Sequence, residues 1–136
     1  MIDYATAGRL LDDFARAYRT FDGDLVVSLF RPDAEYHEDP FSPPLLGHNA
    51  IRAYWLDAAE TQDQVEFTFE RHWVSGDTVI AVWHMSWLTR GTSQRFRASG
   101  VLILAMQDGK IARLRSWWHG RRADDGAAEG AGTYGR

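Results

Sequence analysis

The sequence predicts an α+β domain in which three N-terminal helices cover one face of a curved, antiparallel (mixed) sheet. In the first part of the chain, apolar side chains recur at three- and four-residue spacing, which is typical of amphipathic helices. From Val65 the apolar period changes to two, which is typical of strands with one buried face.

The chain has 136 residues, of which 45% are hydrophobic, enough for one core. We therefore expect a single domain over residues 1–120. Residues 121–136 lack an apolar period and are rich in Gly and Ala, so we expect a disordered tail there.

The helical part divides into three segments. One apolar face predicts a first helix over about residues 4–20. A shorter apolar stripe over residues 25–30 predicts a second helix, which must end before Pro32 because proline disfavours helix in the residue before it. Residues 34–39 form a short extended segment, followed by a proline-rich loop. Asn49 can cap a third helix.

Four strands are predicted in the second part of the chain. Alternation and intervening Gly-containing turns give the ranges 65–73, 78–90, 94–106 and 110–119. In the last hairpin, a three-residue loop ending in glycine pairs Leu104 with Ala112 and Leu102 with Leu114. This register brings like faces together. One face then carries Gly100, Leu102, Leu104, Leu114, Ser116 and Trp118.

The opposite face of this hairpin carries Val101, Ile103 and Trp117 together with two arginines. Because helices already cover the first face, this half-apolar surface predicts a subunit interface and a homodimer. The alternative is a solvated face, on which the arginines pair with acids of the first strand across the sheet.

Charge and composition exclude several classes of partner and chemistry. The formal net charge is -4 and no basic block outweighs the acids, which argues against nucleic acid and anionic membranes as partners. The chain has no cysteine and no apolar run of the roughly 20 residues that span a bilayer, so we expect a cytoplasmic protein. The histidine spacing indicates no metal site. Because the sequence has neither a glycine-rich phosphate loop nor a nucleophile elbow, no cofactor is expected.

The segment EYHEDPFSPPLLGHNAIRAYW puts a histidine and two acids beside an apolar, proline-containing loop. A general base that removes a proton next to a carbonyl needs a carboxylate at the edge of an apolar cavity. Asp39 has such a neighbourhood, and His37 would share its face and orient it or act as a second acid or base. Glu38 would then face away. The alternative is that Asp39 accepts local N–H groups and that His37 is a structural strand residue.

The order of elements, the length and this segment resemble the nuclear transport factor 2-like superfamily, a cystatin-like, cone-shaped fold shared by ketosteroid isomerases and SnoaL-type polyketide cyclases. The resemblance covers about residues 4–120, and EDPFSPPLLGHNAI is similar to the acid-Asp-Pro-Phe loop of ketosteroid isomerases. In that family the loop aspartate is the general base, and it corresponds to Asp39. Tyr18 lies near the family's helix-1 tyrosine, which stabilises the enolate oxygen together with a protonated aspartic acid. Leu102 stands approximately where that second acid would be, so the resemblance implies related proton transfer with other donors.

The resemblance also implies a ligand pocket inside the cone, where Trp83, Met85, Trp87 and Trp118 match lining positions. Such a pocket would suit a flat apolar ligand such as a polyketide, steroid or terpenoid fragment. An ordinary packed core is the alternative reading of the same rings. The predicted ligand-binding residues are Phe14, Phe41, Trp55, Trp83, Met85, Trp87, Leu102, Ser116 and Trp118.

Three functions are compatible with these residues. The first is a cofactor-independent isomerase or cyclase with Asp39 as general base and with His37 and Tyr18 as further catalytic candidates. The second is a non-catalytic protein that binds an apolar metabolite, which the missing second acid favours. The third is a dimeric interaction module like the superfamily's transport-factor members. An epoxide hydrolase on this fold would need two acids and an arginine around one water, and only Asp39 can be nominated.

Overall fold

The computed structural model describes residues 1–123 and confirms the α+β class, with helices packed on one face of a curved, six-stranded sheet. The last strand continues to Arg122 rather than ending at residue 119. The predicted tail lies outside the described residues from residue 124 onward. The elements are α1 Tyr4–Thr20, α2 Gly23–Ser28, β1 Phe30–His37, β2 Leu45–Leu46, α3 Gly47–Thr61, β3 Gln62–Ser75, β4 Thr78–Thr89, β5 Arg95–Gln107 and β6 Lys110–Arg122.

The first helix has the predicted bounds because local signals fix both of its ends. The Asp3 side chain accepts a hydrogen bond from the backbone N–H of Thr6 at 2.7 Å, and the helix ends where Phe21 adopts a left-handed φ of 52°. Helix α3 begins at Gly47 and has no side-chain cap, so the predicted cap at Asn49 was wrong. Gly47 has a φ of 82°, which glycine adopts without strain, and it turns the chain into the helix earlier than expected.

The second apolar stripe of the sequence divides between a helix and a strand. Helix α2 ends at Ser28, and β1 already begins at Phe30, before the predicted extended segment. Pro32 lies inside β1, where the register against β6 shifts between Phe30 and Glu35. The missing N–H of proline is tolerated because the ladder is irregular at this point.

The strands follow the order β2-β1-β6-β5-β4-β3. Strand β1 runs parallel to β6, whereas every other neighbouring pair among the described residues is antiparallel, so the sheet is mixed. The register of β3 against β4 shifts twice, between Asp63 and Glu66 and again between Phe69 and Arg71. Such bulges bend a strand and increase its twist, which helps the sheet to curve around the helices.

The last hairpin has a two-residue turn rather than the predicted three-residue loop. Gln107 pairs with Lys110, and the turn residues Asp108 and Gly109 have φ values of 54° and 76°, as in a type I′ turn. The register then shifts after Met106, and Leu104 pairs with Leu114 and Leu102 with Ser116. The predicted pairing with Ala112 was therefore wrong, because a bulge rather than a longer loop brings the like faces together.

The face assignment of this hairpin is confirmed by burial. Leu102 is 2% exposed and Leu114 is fully buried, whereas Trp117 on the opposite face is 38% exposed. The buried face belongs to the core that includes Phe14 of α1 and Trp55 of α3. None of the helices within residues 1–123 combines the length and the apolar character that a bilayer crossing requires.

Candidate functional site

A cavity of about 410 Å³ lies between helices α1 and α3 and the helix-covered face of the sheet. Its volume falls in the lower part of the range of small-molecule sites. Most of its walls are apolar or aromatic. The structure brings together the following predicted residues in its lining: Phe14, Tyr18, Trp83, Met85, Trp87, Leu102, Ser116 and Trp118. That these side chains bind a ligand stays a prediction.

One side of the cavity is a continuous row of rings, here called the aromatic wall, formed by Tyr18, Phe67, Trp83 and Trp118. Tyr18 stacks on Phe67 with ring centroids 4.8 Å apart, and Phe67 stacks on Trp83 at 5.5 Å. Trp118 follows, tilted, at 6.4 Å from Trp83. Phe67 was not among the predicted ligand-binding residues, although its place on the apolar face of β3 was a usable signal.

The polar part of the lining is a carboxylate among three tyrosines. Glu38 lines the cavity with Tyr18, Tyr36 and Tyr54, which we call the tyrosine cluster. Glu38 lies close enough to Tyr54 for its charge to be one of the causes that raise the pKa of the Tyr54 phenol. The rings of Tyr36 and Tyr54 lie 5.5 Å apart. A base and several hydroxyl donors therefore share one apolar enclosure.

The tyrosine cluster is protonated at neutral pH. Burial raises the pKa of all three phenols, and the charge of Glu38 raises it further. Each hydroxyl therefore keeps its proton and can donate a hydrogen bond to an oxygen that gains negative charge.

Glu38 faces the cavity because the alternation of β1 continues past its last residue. On that strand Ala34 and Tyr36 are buried at 0% and 6% exposure, and Glu38 is the next residue of the same face. The expectation that Glu38 faces away was therefore wrong. The signal was present in the sequence, because Ala34 and Tyr36 are the less polar residues of the segment.

Asp39 is only 5% exposed, but it is not among the residues that line the cavity. Its Oδ1 accepts the backbone N–H groups of Phe41 at 2.8 Å and of Ser42 at 3.0 Å, and its Oδ2 accepts the Ser42 hydroxyl at 2.8 Å. The loop after β1 supplies these donors and turns the carboxylate toward itself. The predicted position of Asp39 at the cavity edge was wrong, and the alternative with local N–H groups describes its contacts.

Three further predicted residues lie away from the cavity. His37 shares the other face of β1 with Glu35, and its Nε2 lies 2.9 Å from Glu35 Oε1. Phe41 is 90% exposed on the proline-containing loop. Trp55 is 2% exposed and packs in the core, where its indole N–H donates to the carbonyl oxygen of Ala17 at 3.2 Å. The predicted pocket positions of Phe41 and Trp55 were therefore wrong.

Two lining residues carry buried polar atoms that have no hydrogen-bond partner among residues 1–123. They are the indole N–H of Trp83 and the side-chain oxygen of Gln62. Buried polar groups without partners are rare in native proteins. Within the described part of the chain, no group of three or more His, Asp or Glu side chains is arranged to hold a metal ion.

Comparison with known proteins gives a family match and several structures of the same fold. The family model of the SnoaL-like domain matches residues 11–114 of the chain. No curated protein matches it. A protein with a ketosteroid isomerase-like fold from Catenulispora acidiphila, solved in complex with trimethylamine, is 16% identical over 79% of this chain and 83% of that chain, with a TM-score of 0.73.

Two similar structures come from enzymes. An LEH-like epoxide hydrolase from M. tuberculosis is 18% identical, with 84% of this chain and 83% of that chain covered and a TM-score of 0.71. SalBIII, an epoxide hydrolase/cyclase-like enzyme of pyran ring formation in polyether salinomycin, is also 18% identical, with coverages of 87% and 94% and a TM-score of 0.76. At these identities the similarity shows the fold alone.

Proposed function

The chain belongs to the SnoaL-like domain family, within the nuclear transport factor 2-like superfamily, and on this premise we propose that it is an enzyme that transfers a proton on an apolar small molecule without a cofactor. One observation carries the proposal. The carboxylate of Glu38 lies in an aromatic cavity among hydroxyl groups that stay protonated at neutral pH.

In the proposed reaction, Glu38 removes a proton from a carbon next to a carbonyl group of the substrate. The electron pair moves onto the carbonyl oxygen, and hydroxyls of the tyrosine cluster stabilise the developing enolate. Return of the proton to another carbon completes an isomerisation. Attack of the enolate on a second carbonyl carbon of the substrate closes a ring, and the oxygen of that carbonyl takes the electron pair of its π bond and the proton from Glu38. The apolar walls exclude water that would compete for the proton.

Glu38 replaces Asp39 as the proposed base because of where the two carboxylates lie. Loop donors hold both oxygens of Asp39, whereas Glu38 lines the cavity. Epoxide hydrolysis is less well supported. Glu38 and Asp57 could supply two acids, but no arginine within residues 1–123 lines the cavity.

Non-catalytic binding of an apolar metabolite is the second candidate function. Leu102 lines the cavity at 2% exposure, where the resemblance to ketosteroid isomerases would require a protonated acid. A binding protein would use the same aromatic wall and would show no proton exchange.

Solvent-deuterium exchange at activated C–H bonds tests this function. A panel of steroid, polyketide and terpenoid ketones is first screened by thermal shift, and exchange of each hit is followed by NMR. We expect Glu38→Gln to lower the exchange rate by about 10²–10⁴-fold while ligand affinity changes little. Asp39→Asn is the matched control and should keep the exchange rate of any folded protein. If all variants bind the ligand equally and none exchanges its protons, the enzymatic function is excluded and the binding function remains.

We further propose that the protein is a homodimer through the sheet face that carries Val101, Ile103 and Trp117. Arg115 lies over the Trp117 ring at 5.0 Å. The acids of β3 do not pair with these arginines, because Glu70 contacts His84 at 2.7 Å and Glu66 accepts from Ser86 at 3.1 Å. This sheet face has an apolar centre, with the arginines of β6 on one side and the acids of β3 on the other. In a dimer related by a two-fold axis, the arginines of one subunit can lie opposite the acids of the other.

A further inference from the structure

The charged groups around the cavity are all negative. Glu38 and Asp57 are among its lining residues, whereas no Lys, Arg or His within residues 1–123 is. Asp57 lies on α3 about one helical turn after Tyr54, which also lines the cavity, and Glu38 directly follows β1. The cavity therefore contains uncompensated negative charge. Asp57 is exposed to solvent, which weakens its own contribution.

The remaining lining is rich in π-electron surface. The aromatic wall is joined by Trp87, whose ring stacks on Phe96 at 5.7 Å. The face of an aromatic ring carries negative potential and attracts a cation that lies within about 6 Å of the ring centroid. Rings and carboxylates thus favour the same sign of charge in a ligand.

We propose that the ligand of this cavity carries a positive ammonium group, quaternary or a protonated tertiary amine, on an otherwise apolar or aromatic body. This inference rests on the proposed function of the site and narrows its substrate class. The two carboxylates repel an anionic ligand, and a neutral ligand supplies no countercharge to Glu38, which forms no ion pair among residues 1–123. A cationic ligand supplies the countercharge that the half-buried Glu38 carboxylate otherwise lacks.

A positive charge next to the reacting carbon would make proton removal by Glu38 easier. A quaternary ammonium has no proton to give, so it attracts the carboxylate without neutralising it. The charge also withdraws electron density from the neighbouring C–H bond, which makes its proton easier to remove. The proton then moves from that carbon to Glu38, and the electron pair stays on the carbon or on a conjugated carbonyl.

Two probes of equal shape test the inference by direct binding. They are 4-(trimethylammoniomethyl)phenol and 4-neopentylphenol, which differ by a charged nitrogen in place of a carbon. Quenching of the cavity tryptophans reports the affinity of each probe. We expect the wild type to prefer the ammonium probe by about tenfold, the size of effect that a charge–ring or charge–charge contact produces.

Three variants locate the origin of this preference. Glu38→Gln removes the charge at nearly constant shape and should reduce the preference to about threefold or less. Asp57→Asn changes an exposed side chain, so it should fold normally and should lower the preference by a smaller factor. Glu60→Gln removes an exposed acid of the same helix that does not line the cavity, and it should keep the full preference.

Equal affinities, or tighter binding of the neutral probe, would overturn the inference. The inference would also be overturned if Glu38→Gln and Asp57→Asn reduced the ammonium preference no more than Glu60→Gln does. Failure of the inference is distinguishable from failure of the proposed function. If the protein exchanges protons of a neutral ketone in a Glu38-dependent way but shows no preference for the ammonium probe, only the inference about the ligand is contradicted. If it shows a carboxylate-dependent preference for the ammonium probe but exchanges no protons, only the proposed enzymatic function is contradicted.

Discussion

Replacement of Gly100 by alanine tests how the cavity wall is built, because Gly100 of β5 lies directly opposite Trp118 of β6. A Cβ atom at position 100 would overlap the carbonyl oxygen of Trp117 and would lie 2.7 Å from the Cβ atom of Trp118. A change of side-chain rotamer cannot relieve contacts with these atoms, so the two strands would have to separate locally. Overpacking alone costs about 1–3 kcal/mol, and the lost strand pairing adds to it, so we expect Gly100→Ala to lower the free energy of unfolding by about 3 kcal/mol.

Urea denaturation followed by tryptophan fluorescence measures this loss, which corresponds to a fall of roughly 10 °C in Tm. Gly76→Ala is the control, because nothing lies within 4 Å of the added Cβ but the φ of 59° is unfavourable for alanine. It should cost only about 1 kcal/mol. Our reasoning about the β5–β6 register and the position of Trp118 would be refuted if Gly100→Ala were no less stable than this control.

Four further outcomes follow from the same structure. Trp55→Phe should lower the free energy of unfolding by about 1–2 kcal/mol in urea denaturation, because the smaller ring leaves a void where the indole packs at 2% exposure and the indole hydrogen bond to the Ala17 carbonyl is lost. Phe41→Ala should change stability and ligand affinity by less than about 0.5 kcal/mol, because the ring is 90% exposed. Burial raises the folded-state pKa of the tyrosine cluster above the unfolded-state value, so the stability that it contributes is complete below about pH 10 and is lost as the pH rises further. In an alkaline titration, phenolate absorbance from the cluster should therefore appear only together with unfolding. Ile103→Lys should produce a monomer in sedimentation experiments, and a dimer that survives would contradict the proposed sheet-face interface.

The fold could be predicted from the sequence because the helical and strand spacings of its apolar residues extend over whole elements and are unambiguous. One apolar stripe spans the whole of α1, and the alternation of β5 and β6 identifies their buried face even though the predicted register was wrong. The register itself depends on a bulge beside Met106, which leaves no mark in the hydrophobic pattern. Pro32 indicated the end of the second helix, but its place within a strand follows from an irregular ladder that only the structure shows.

Most of the correctly predicted lining residues lie on strands, whose alternation identifies the inner face, and Phe14 and Tyr18 lie on the apolar face of α1. Trp83 and Trp118 line the cavity because alternation places them on the inner face. Trp55 lies on the apolar face of a helix, and helical spacing does not tell whether such a residue contacts the cavity or the neighbouring helix.

The orientation of Glu38 depends on the alternation of β1, which continues past the end of the strand and could have been read from Ala34 and Tyr36. The contacts of Asp39 depend on the donors that the following loop offers, and these have no strong sequence signal.

Covalent labelling by a ketone analogue tests the central claim most directly. An aryl bromomethyl ketone places a carbon that bears bromide where the substrate's acidic carbon would lie, and a carboxylate that reaches this carbon forms an ester and releases bromide. Tandem mass spectrometry of the labelled peptide then distinguishes Glu38 from its neighbour Asp39. We predict an ester on Glu38 that is absent from Glu38→Gln and suppressed by a bound ligand. An ester on Asp39 instead, or labelling that a ligand does not suppress, would contradict the assignment of Glu38 as the base.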